Sequence, residues 1–356
     1  MTGSEGAARD QRVHFVPERA AEALRVEAAT YGARRVLVIA SPSSEQVAHD
    51  LTSGLPVVHR HDEVVQHVPV EVAERARAAA SEHEADLLVS IGGGSAVGLA
   101  KAVALTSDRP GGLPIVAVPT TYAGSEVTDV WGLTENGRKT TGSDPRVRPV
   151  AIVYDAALTL SMPTRLSVVS GLNAFAHAVD GLWAPRADDR TASLARDGIA
   201  ALAAALPQVA DEPQGLAGRE EALRGAYVSA LSFALAGSGL HHKICHVLGG
   251  RHDLPHAETH AVVLPHVVAL NMPGAPEAER LVADALGAAS AALGIDALWD
   301  RLDAPRSLRD LGLEREAIPG AVDAILPLVP DSNPVHVTAG ELIDLLTASW
   351  EGARPR

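Results

Sequence analysis

A Rossmann-like α/β domain followed by an all-α domain is the fold that this 356-residue sequence predicts. Three observations lead there. Short β-branched runs alternate with Ala-rich helical patterns over roughly the first 155 residues, as in a parallel, doubly wound sheet. A glycine cluster, Gly92-Gly93-Gly94, directly follows one of those runs. Beyond Pro163 the apolar residues recur at helical spacing alone. The expected domains are therefore 1–163 and 164–356, with a ligand held in the cleft where they face each other.

Each element has its own signal. Arg35–Ala40 reads as a buried strand ended by Ser41-Pro42-Ser43, and Pro56–His59 as a second strand. Glu71–Glu84 combines helical spacing with good helix formers. Asp86–Ile91 is a strand that runs straight into Gly92-Gly93-Gly94-Ser95, and Ala96–Leu105 is a helix. Pro114–Val118 is another strand, closed by Pro119-Thr120-Thr121. In the second half, Leu166–Trp183, Thr191–Leu206, Gly218–Leu240, Ala257–Leu270, Ala275–Leu293 and Ala339–Trp350 read as helices. Glycines and prolines such as Pro207, Pro213 and Pro273 punctuate them.

Composition narrows the function classes. A hydrophobic content of 47% supplies a large core, and a formal charge of −14 argues against general binding to nucleic acid or an anionic membrane. An anionic substrate must then be drawn in by a local basic patch. The single cysteine, Cys245, allows no intrachain disulfide and fits a reducing cytosol. Met1–Asp10 lacks the apolar core of a signal peptide, and the apolar runs are too short or interrupted to span a bilayer. A cytoplasmic protein is expected.

The chemistry concentrates between Gly239 and His260, where His241, His242, His246, His252, His256 and His260 accompany Lys243. Imidazole is the side chain best suited to proton transfer and metal binding near neutral pH. Apolar neighbours such as Ile244, Leu248 and Val262 place the cluster on buried elements; the same surroundings make Cys245 a buried thiol, not a nucleophile. Asn173 and His177 stand four apart in an apolar stretch, so they share one helix face. A lone histidine there is more often a core residue; the later cluster raises it to a ligand or catalytic candidate. His177, His246 and His256 could supply three nitrogen ligands, the last two separated by a Gly-Gly turn and a short loop. Asn173 offers a fourth position only a neutral oxygen, so spacing leaves metal binding open.

Gly92-Gly93-Gly94-Ser95 is placed to admit a pyrophosphate at a helix N-terminus. It is not the GxGxxG fingerprint, and a plain tight turn is the alternative. Pro119-Thr120-Thr121-Tyr122-Ala123-Gly124-Ser125-Glu126 brings hydroxyl groups and a phenol to the same sheet edge.

Taken together, these residues resemble the maleylacetate reductases, a branch of the iron-containing alcohol dehydrogenase superfamily. The resemblance is carried by Gly92–Ser95 with Gly98-Leu99-Ala100-Lys101, by Pro119–Glu126, and by Trp131-Gly132-Leu133-Thr134 and Lys139-Thr140-Thr141-Gly142. It continues through Asp144-Pro145-Arg146-Val147, Ser170-Gly171-Leu172-Asn173-Ala174, His177-Ala178, His241-His242-Lys243 and Leu254–His260, and covers about His14 to Trp350. It implies a dehydroquinate-synthase-like fold, a homodimer, and NADH or NADPH as cofactor. The implied reaction is reduction of the C=C bond of maleylacetate, a small dicarboxylate, to 3-oxoadipate, late in aromatic-ring degradation.

The resemblance also implies roles. Ser41, Gly92, Gly93, Gly94, Ser95, Thr120, Thr121, Ser125 and Lys139 would hold the dinucleotide. His246 and His256 would stabilise the developing negative charge, with His177 or Tyr122 as proton donor and Lys243, His242 and Arg146 on the carboxylates. Metal-dependent relatives use an Asp and three His, which here correspond to Asn173, His177, His246 and His256; the Asn favours a metal-free site. Ser332-Asn333-Pro334-Val335-His336 departs from a family stretch that often carries Arg after the Pro, so a related unsaturated keto acid in a biosynthetic pathway is an alternative substrate. A metal-dependent alcohol or aldehyde dehydrogenase is another. Asp62 and Glu63 are candidates for selecting NADH.

Overall fold

A computed structural model describes residues 11–107, 109, 112–135 and 138–355, the side chains of Arg138 and Lys139 excepted. The chain forms two compact units, one ending at Leu158 and one running from Thr159 that also takes in Thr121–Gly124.

The first unit is built on a six-stranded sheet. In chain order it contains β1 (Arg12–Phe15), α1 (Ala20–Thr30), β2 (Val36–Ile39), α2 (Glu45–Thr52), β3 (Val57–His61), α3 (Val70–Glu82), β4 (Leu87–Gly92), α4 (Gly94–Leu105) and β5 (Ile115–Pro119). A hairpin of β6 (Val130–Glu135) and β7 (Arg138–Ser143) then precedes β8 (Ala151–Tyr154). The strand order is β1-β8-β5-β4-β2-β3, and every pair is parallel. The strands and helices read from the sequence all appear, shifted by at most two residues at their ends. β1, α1, α2, β8 and the hairpin are additions. β1 is a half-buried edge strand whose Arg12 and His14 break its apolar pattern, and its pairing with β8 is non-local.

Both faces of the sheet are covered, so its central strands are apolar throughout and not alternating. Val36, Val38, Leu87, Val89 and Ile91 face one way, against Ala23 and Leu24 of α1 and Leu51 of α2. Leu37, Ile39 and Leu88 face the other, against Ala73 and Ala76 of α3 and Leu99 and Val103 of α4. This period of two is what a pleated strand dictates.

Lys101 is fully buried inside this unit. The Lys101 Nζ on α4 donates to the carbonyls of Ser125 (2.6 Å) and Val130 (2.8 Å) and to Thr128 Oγ1 (3.1 Å). Burial pulls its ammonium down to about 7, against the opposing fields of Glu126 and Asp129. Lys101 thereby ties the chain between β5 and β6 to α4.

The second unit holds α5 (Thr164–Gly181), α6 (Asp189–Asp211), α7 (Leu216–Ala236), α8 (Leu240–His252), α9 (His256–Asn271), α10 (Pro276–Leu286), α11 (Ala291–Arg301), α12 (Ile318–Ile325) and α13 (Ala339–Glu351). Three expectations need correction. Gly218–Leu240 is not one helix: α7 stops before Gly237, whose φ of +94° suits glycine, and α8 begins at Leu240. Gly249-Gly250 is not a turn between His246 and His256. Both glycines lie inside α8, and the chain turns instead at Asp253, in the left-handed region, followed by Leu254-Pro255. Helical hydrogen bonding across the glycines prevails because the preceding turns of α8 are anchored by buried apolar residues such as Ile244 and Leu248. Ala275–Leu293 is split at Gly287 into α10 and α11, each of 11 residues and shorter than the roughly 20 needed to cross a bilayer.

Replacing Lys101 with Met preserves volume but removes the donor to Val130 O and the strongest of the donors to Ser125 O, while Thr128 Oγ1 keeps its bond from Val130 N. The variant is expected to lose about 2 kcal/mol or more of stability, measured as a lower urea midpoint at unchanged m-value. An unshifted midpoint would mean that the lysine holds nothing.

Candidate active site

The sheet brings one group of candidates together at its carboxyl edge. Ser41 follows β2, Gly92–Ser95 join β4 to α4, and Thr120 follows β5; these three strands are adjacent. The chain runs from β2 outward to β3 and from β4 the other way to β5, so β2 and β4 flank the point where strand order reverses. Open α/β sheets bind ligands there. Gly92 has φ +146°, a conformation an L side chain rarely adopts, and its carbonyl accepts from Thr120 N at 3.0 Å. Gly93 caps α4 without a side-chain hydrogen bond, and the first turn carries no acidic residue. Exposed amides and a positive helix end therefore meet whatever anion enters.

Other candidates at this end have different settings. The Ser125 carbonyl is held by Lys101. Glu63, just past β3, is paired in bidentate fashion with Arg75 at 2.7 and 2.6 Å, whereas Asp62 is exposed. Arg146 is likewise paired with Asp144 at 2.7 Å, so its guanidinium is engaged locally. The side chain of Lys139 lies outside the described residues.

The helical unit assembles the second group. Asn173, His177 and Asp180 lie along one face of α5. The break at Gly237 lets α8 start beside that face, with His241 and His242 in its first turn and Cys245 and His246 one turn later. His256 and His260 occupy the first turns of α9. The rings form a continuous array. His177 and His242 stack at 5.1 Å and 14°; His242 lies 4.8 Å from His260 and 6.1 Å from His246. His246 and His256 are 6.4 Å apart, and His256 and His260 are 4.5 Å apart. Phe233 of α7 walls the array, 4.3 Å from His242 and 5.0 Å from His177. A Cβ on Gly124 would stand 3.3 Å from the His177 ring, which brings the segment after Thr120 to the same place.

Burial governs the charge of these rings. Desolvation lowers His177 to about 4 and His241 to about 3, and holds His242 and His260 well below the usual imidazole range. Neighbouring imidazoles, and Lys243 beside His242, push the same way. His246, His256 and Lys243 are only half-buried, so they form the solvent-facing rim. Tyr122 does not join the array. Its phenol is fully buried beside Arg219 and Thr159, and burial raises its pKa; its backbone N–H donates to Ser170 Oγ at 3.0 Å.

The comparisons with known proteins cover nearly the whole chain. The family described as iron-containing alcohol dehydrogenase matches residues 11–156, and its C-terminal part, the Fe-containing alcohol dehydrogenase family C-terminal model, matches 167–350. The chain belongs to the iron-containing alcohol dehydrogenase family. Maleylacetate reductase 1 of Cupriavidus pinatubonensis is 41% identical over 338 residues, which is 94% of each chain. Among solved structures, an iron-containing alcohol dehydrogenase from Corynebacterium glutamicum is 50% identical, with a TM-score of 0.94, covering 100% of this chain and 99% of that one. Maleylacetate reductase from Agrobacterium tumefaciens is 39% identical, with a TM-score of 0.90 and full coverage of both chains.

The family raises the question of a metal. Asn173 Oδ1, His177 Nδ1 and His242 Nε2 are buried without a hydrogen-bond partner among the described residues. Such leftover donors suit a cation or a bound polar group, and with His246 and His256 they are of the type that would hold a divalent ion. The set is neutral, however, because Asn173 stands where a carboxylate would supply charge. A separate trio, His241, Cys245 and His260, has its ligand atoms within 4.8 Å of one another. His241 Nε2 and His260 Nδ1 are hydrogen-bonded at 2.9 Å, and burial keeps the Cys245 thiol protonated. This trio reads as a packed polar core.

Sequence reasoning missed Asp180 and the place of His260. Asp180 is three residues after His177 in the same helix, a spacing that could have found it. His260 carried no signal beyond its type.

The neutral imidazoles dictate a pH response. In the unfolded chain they titrate near 6.5, but in the fold His177 and His266 protonate only near 4 and His241 near 3. Between those values the unfolded state binds more protons, so stability is lost as pH falls below about 6.5. The melting temperature is expected to drop between pH 7 and pH 5. His266→Phe, outside the array, is expected to flatten that slope, and a slope identical to that of the parent would show that His266 is not buried neutral.

Proposed function

We infer that this protein is an NAD(P)H-dependent reductase of the maleylacetate type, converting maleylacetate to 3-oxoadipate. One observation carries the reading: a continuous, largely buried array of imidazoles with a half-buried lysine at its rim, in a chain about 40% identical to maleylacetate reductases over nearly its full length. The half-buried Lys243 answers the need for a local cation in a chain of net charge −14.

The substrate is a ketone conjugated to an alkene, with a carboxylate at each end. Gly92–Ser95 would hold reduced nicotinamide dinucleotide, whose chemistry when bound would be delivery of hydride to the alkene carbon β to the ketone. The alkene electron pair moves onto the ketone oxygen, and the resulting enolate takes a proton at the α carbon. His256 and His246, on the half-buried rim, donate hydrogen bonds to that oxygen as charge develops there. Lys243 pairs with a substrate carboxylate. His177, buried and neutral behind the rim, relays the proton, passing one N–H on as its other ring nitrogen takes a proton delivered from solvent at the rim. Asn173 leaves this donor set uncharged, which supports turnover without a metal. The lone Cys245 is buried and free, consistent with action in the cytoplasm; assembly as a homodimer and a place in aromatic-ring catabolism are part of the same reading.

The direct test follows NADH and NADPH oxidation with maleylacetate and a small panel of aldehydes, with and without chelator. Chelator-insensitive consumption of dinucleotide by maleylacetate alone is expected. Turnover of aldehydes that chelator abolishes would instead establish a metal-dependent alcohol dehydrogenase. His256→Ala is expected to lower kcat about 100-fold, the scale of one lost donor to a developing oxyanion; a wild-type rate removes His256 from the mechanism.

A further inference from the structure

Asp180 is wholly buried, yet five donors converge on its two oxygens. Oδ2 accepts from Gly239 N at 2.8 Å, from His242 N at 3.4 Å and from His242 Nδ1 at 2.7 Å. Oδ1 accepts from Trp183 Nε1 at 3.1 Å and His241 N at 3.2 Å. Three of these donors are backbone amides at the start of α8, where the helix dipole favours an anion. Burial raises the carboxyl above its ordinary value, opposed in part by His241 and by the hydrogen bonds from Trp183, Gly239 and His242. Four of the five donors have a hydrogen fixed on nitrogen and can only donate. The imidazole is the one partner free to choose.

That choice has a consequence at the other end of the ring. With Nδ1 donating to the carboxylate, the neutral imidazole carries no hydrogen on Nε2. Nε2 is the atom left buried and unpartnered among the described residues, in a ring stacked on His177 and packed between His260 and Phe233. We propose that Asp180 is a positioning residue that locks His242 as the Nδ1–H tautomer, so that His242 presents Nε2 to the active site as a hydrogen-bond acceptor. The proposal rests on the reading of the imidazole array as the reaction site. It gives His242 a task other than holding a carboxylate, since two acceptors repel; Lys243 on the same turn keeps that task alone. The donor that Nε2 receives is an N–H or O–H: a neighbouring imidazole, a water, or the enol of the substrate.

The experiment is nitrogen NMR on the full chain labelled with ¹⁵N-histidine, without substrate, with His242→Gln to assign the resonance. A protonated Nδ1 and a bare Nε2 are expected for His242. In Asp180→Asn the amide end turns a donor toward Nδ1, the tautomer inverts to Nε2–H, and kcat with maleylacetate falls about 100-fold, as for other residues that orient an active-site histidine. Asp180→Glu restores part of the tautomer and part of the rate. Trp183→Phe removes a donor from Oδ1 without touching His242, so tautomer and kcat stay within about threefold of the parent. An Nε2–H tautomer in the parent protein overturns the proposal. So does a wild-type kcat in Asp180→Asn, or a loss in Trp183→Phe as large as that in Asp180→Asn, which would reduce Asp180 to support of the helix. If maleylacetate is not turned over at all, the substrate reading fails, while the tautomer result still decides this one.

Discussion

A carboxylate with no access to water sits at the first turn of α8, and the helical unit is organised around satisfying it. Unpaired, such a group would cost several kcal/mol. It is satisfied because α7 stops at Gly237 and α8 starts at Leu240, which swings three backbone amides onto Asp180. The same break sets His241 and His242 against α5. Had α7 continued through Gly237 as an unbroken helix, the amides at 239–242 would be committed to their own helix and Asp180 would lose its three backbone donors, keeping Trp183 Nε1. Helix geometry, buried charge and the imidazole array are thus one constraint seen from three sides.

A second consequence concerns electrostatics. The chain is strongly acidic overall, yet its most histidine-rich region is held uncharged by desolvation. Neutral imidazoles can donate or accept according to tautomer, whereas protonated ones only donate. Burial therefore widens the chemistry open to the array, and the half-buried rim of His246, His256 and Lys243 is left as the part that meets charge. The buried lysine of the first unit, Lys101, follows the opposite course: its three acceptors occupy it fully, and it organises the chain between β5 and β6.

Much of the architecture was legible in the residues. Alternation of β-branched runs and helical patterns marked the α/β unit, because a sheet covered on both faces needs continuous apolar strands. The glycine turn was legible for a local reason: the backbone conformation at Gly92 excludes side chains, so composition betrays it. Asn173 and His177 were placed correctly on one face, since four residues make about one helical turn. The edge strand β1 escaped because it is only four residues long, too short for its alternation to stand out from the polar residues before it. The Gly-Gly pair in α8 misled because glycine marks a turn only where tertiary packing does not hold the helix.

What the amino-acid sequence determined unaided is the class of each element, the presence of a glycine turn at a strand end and the concentration of histidines, all set by interactions within a few residues. Tertiary structure alone decided which of those histidines touch. His242, not His246, stacks on His177, and Asp180 rather than any histidine fixes the array, because both facts depend on where α8 lands against α5. That landing is governed by a buried carboxylate and a break more than fifty residues away in sequence, a distance over which periodicity and spacing carry no information.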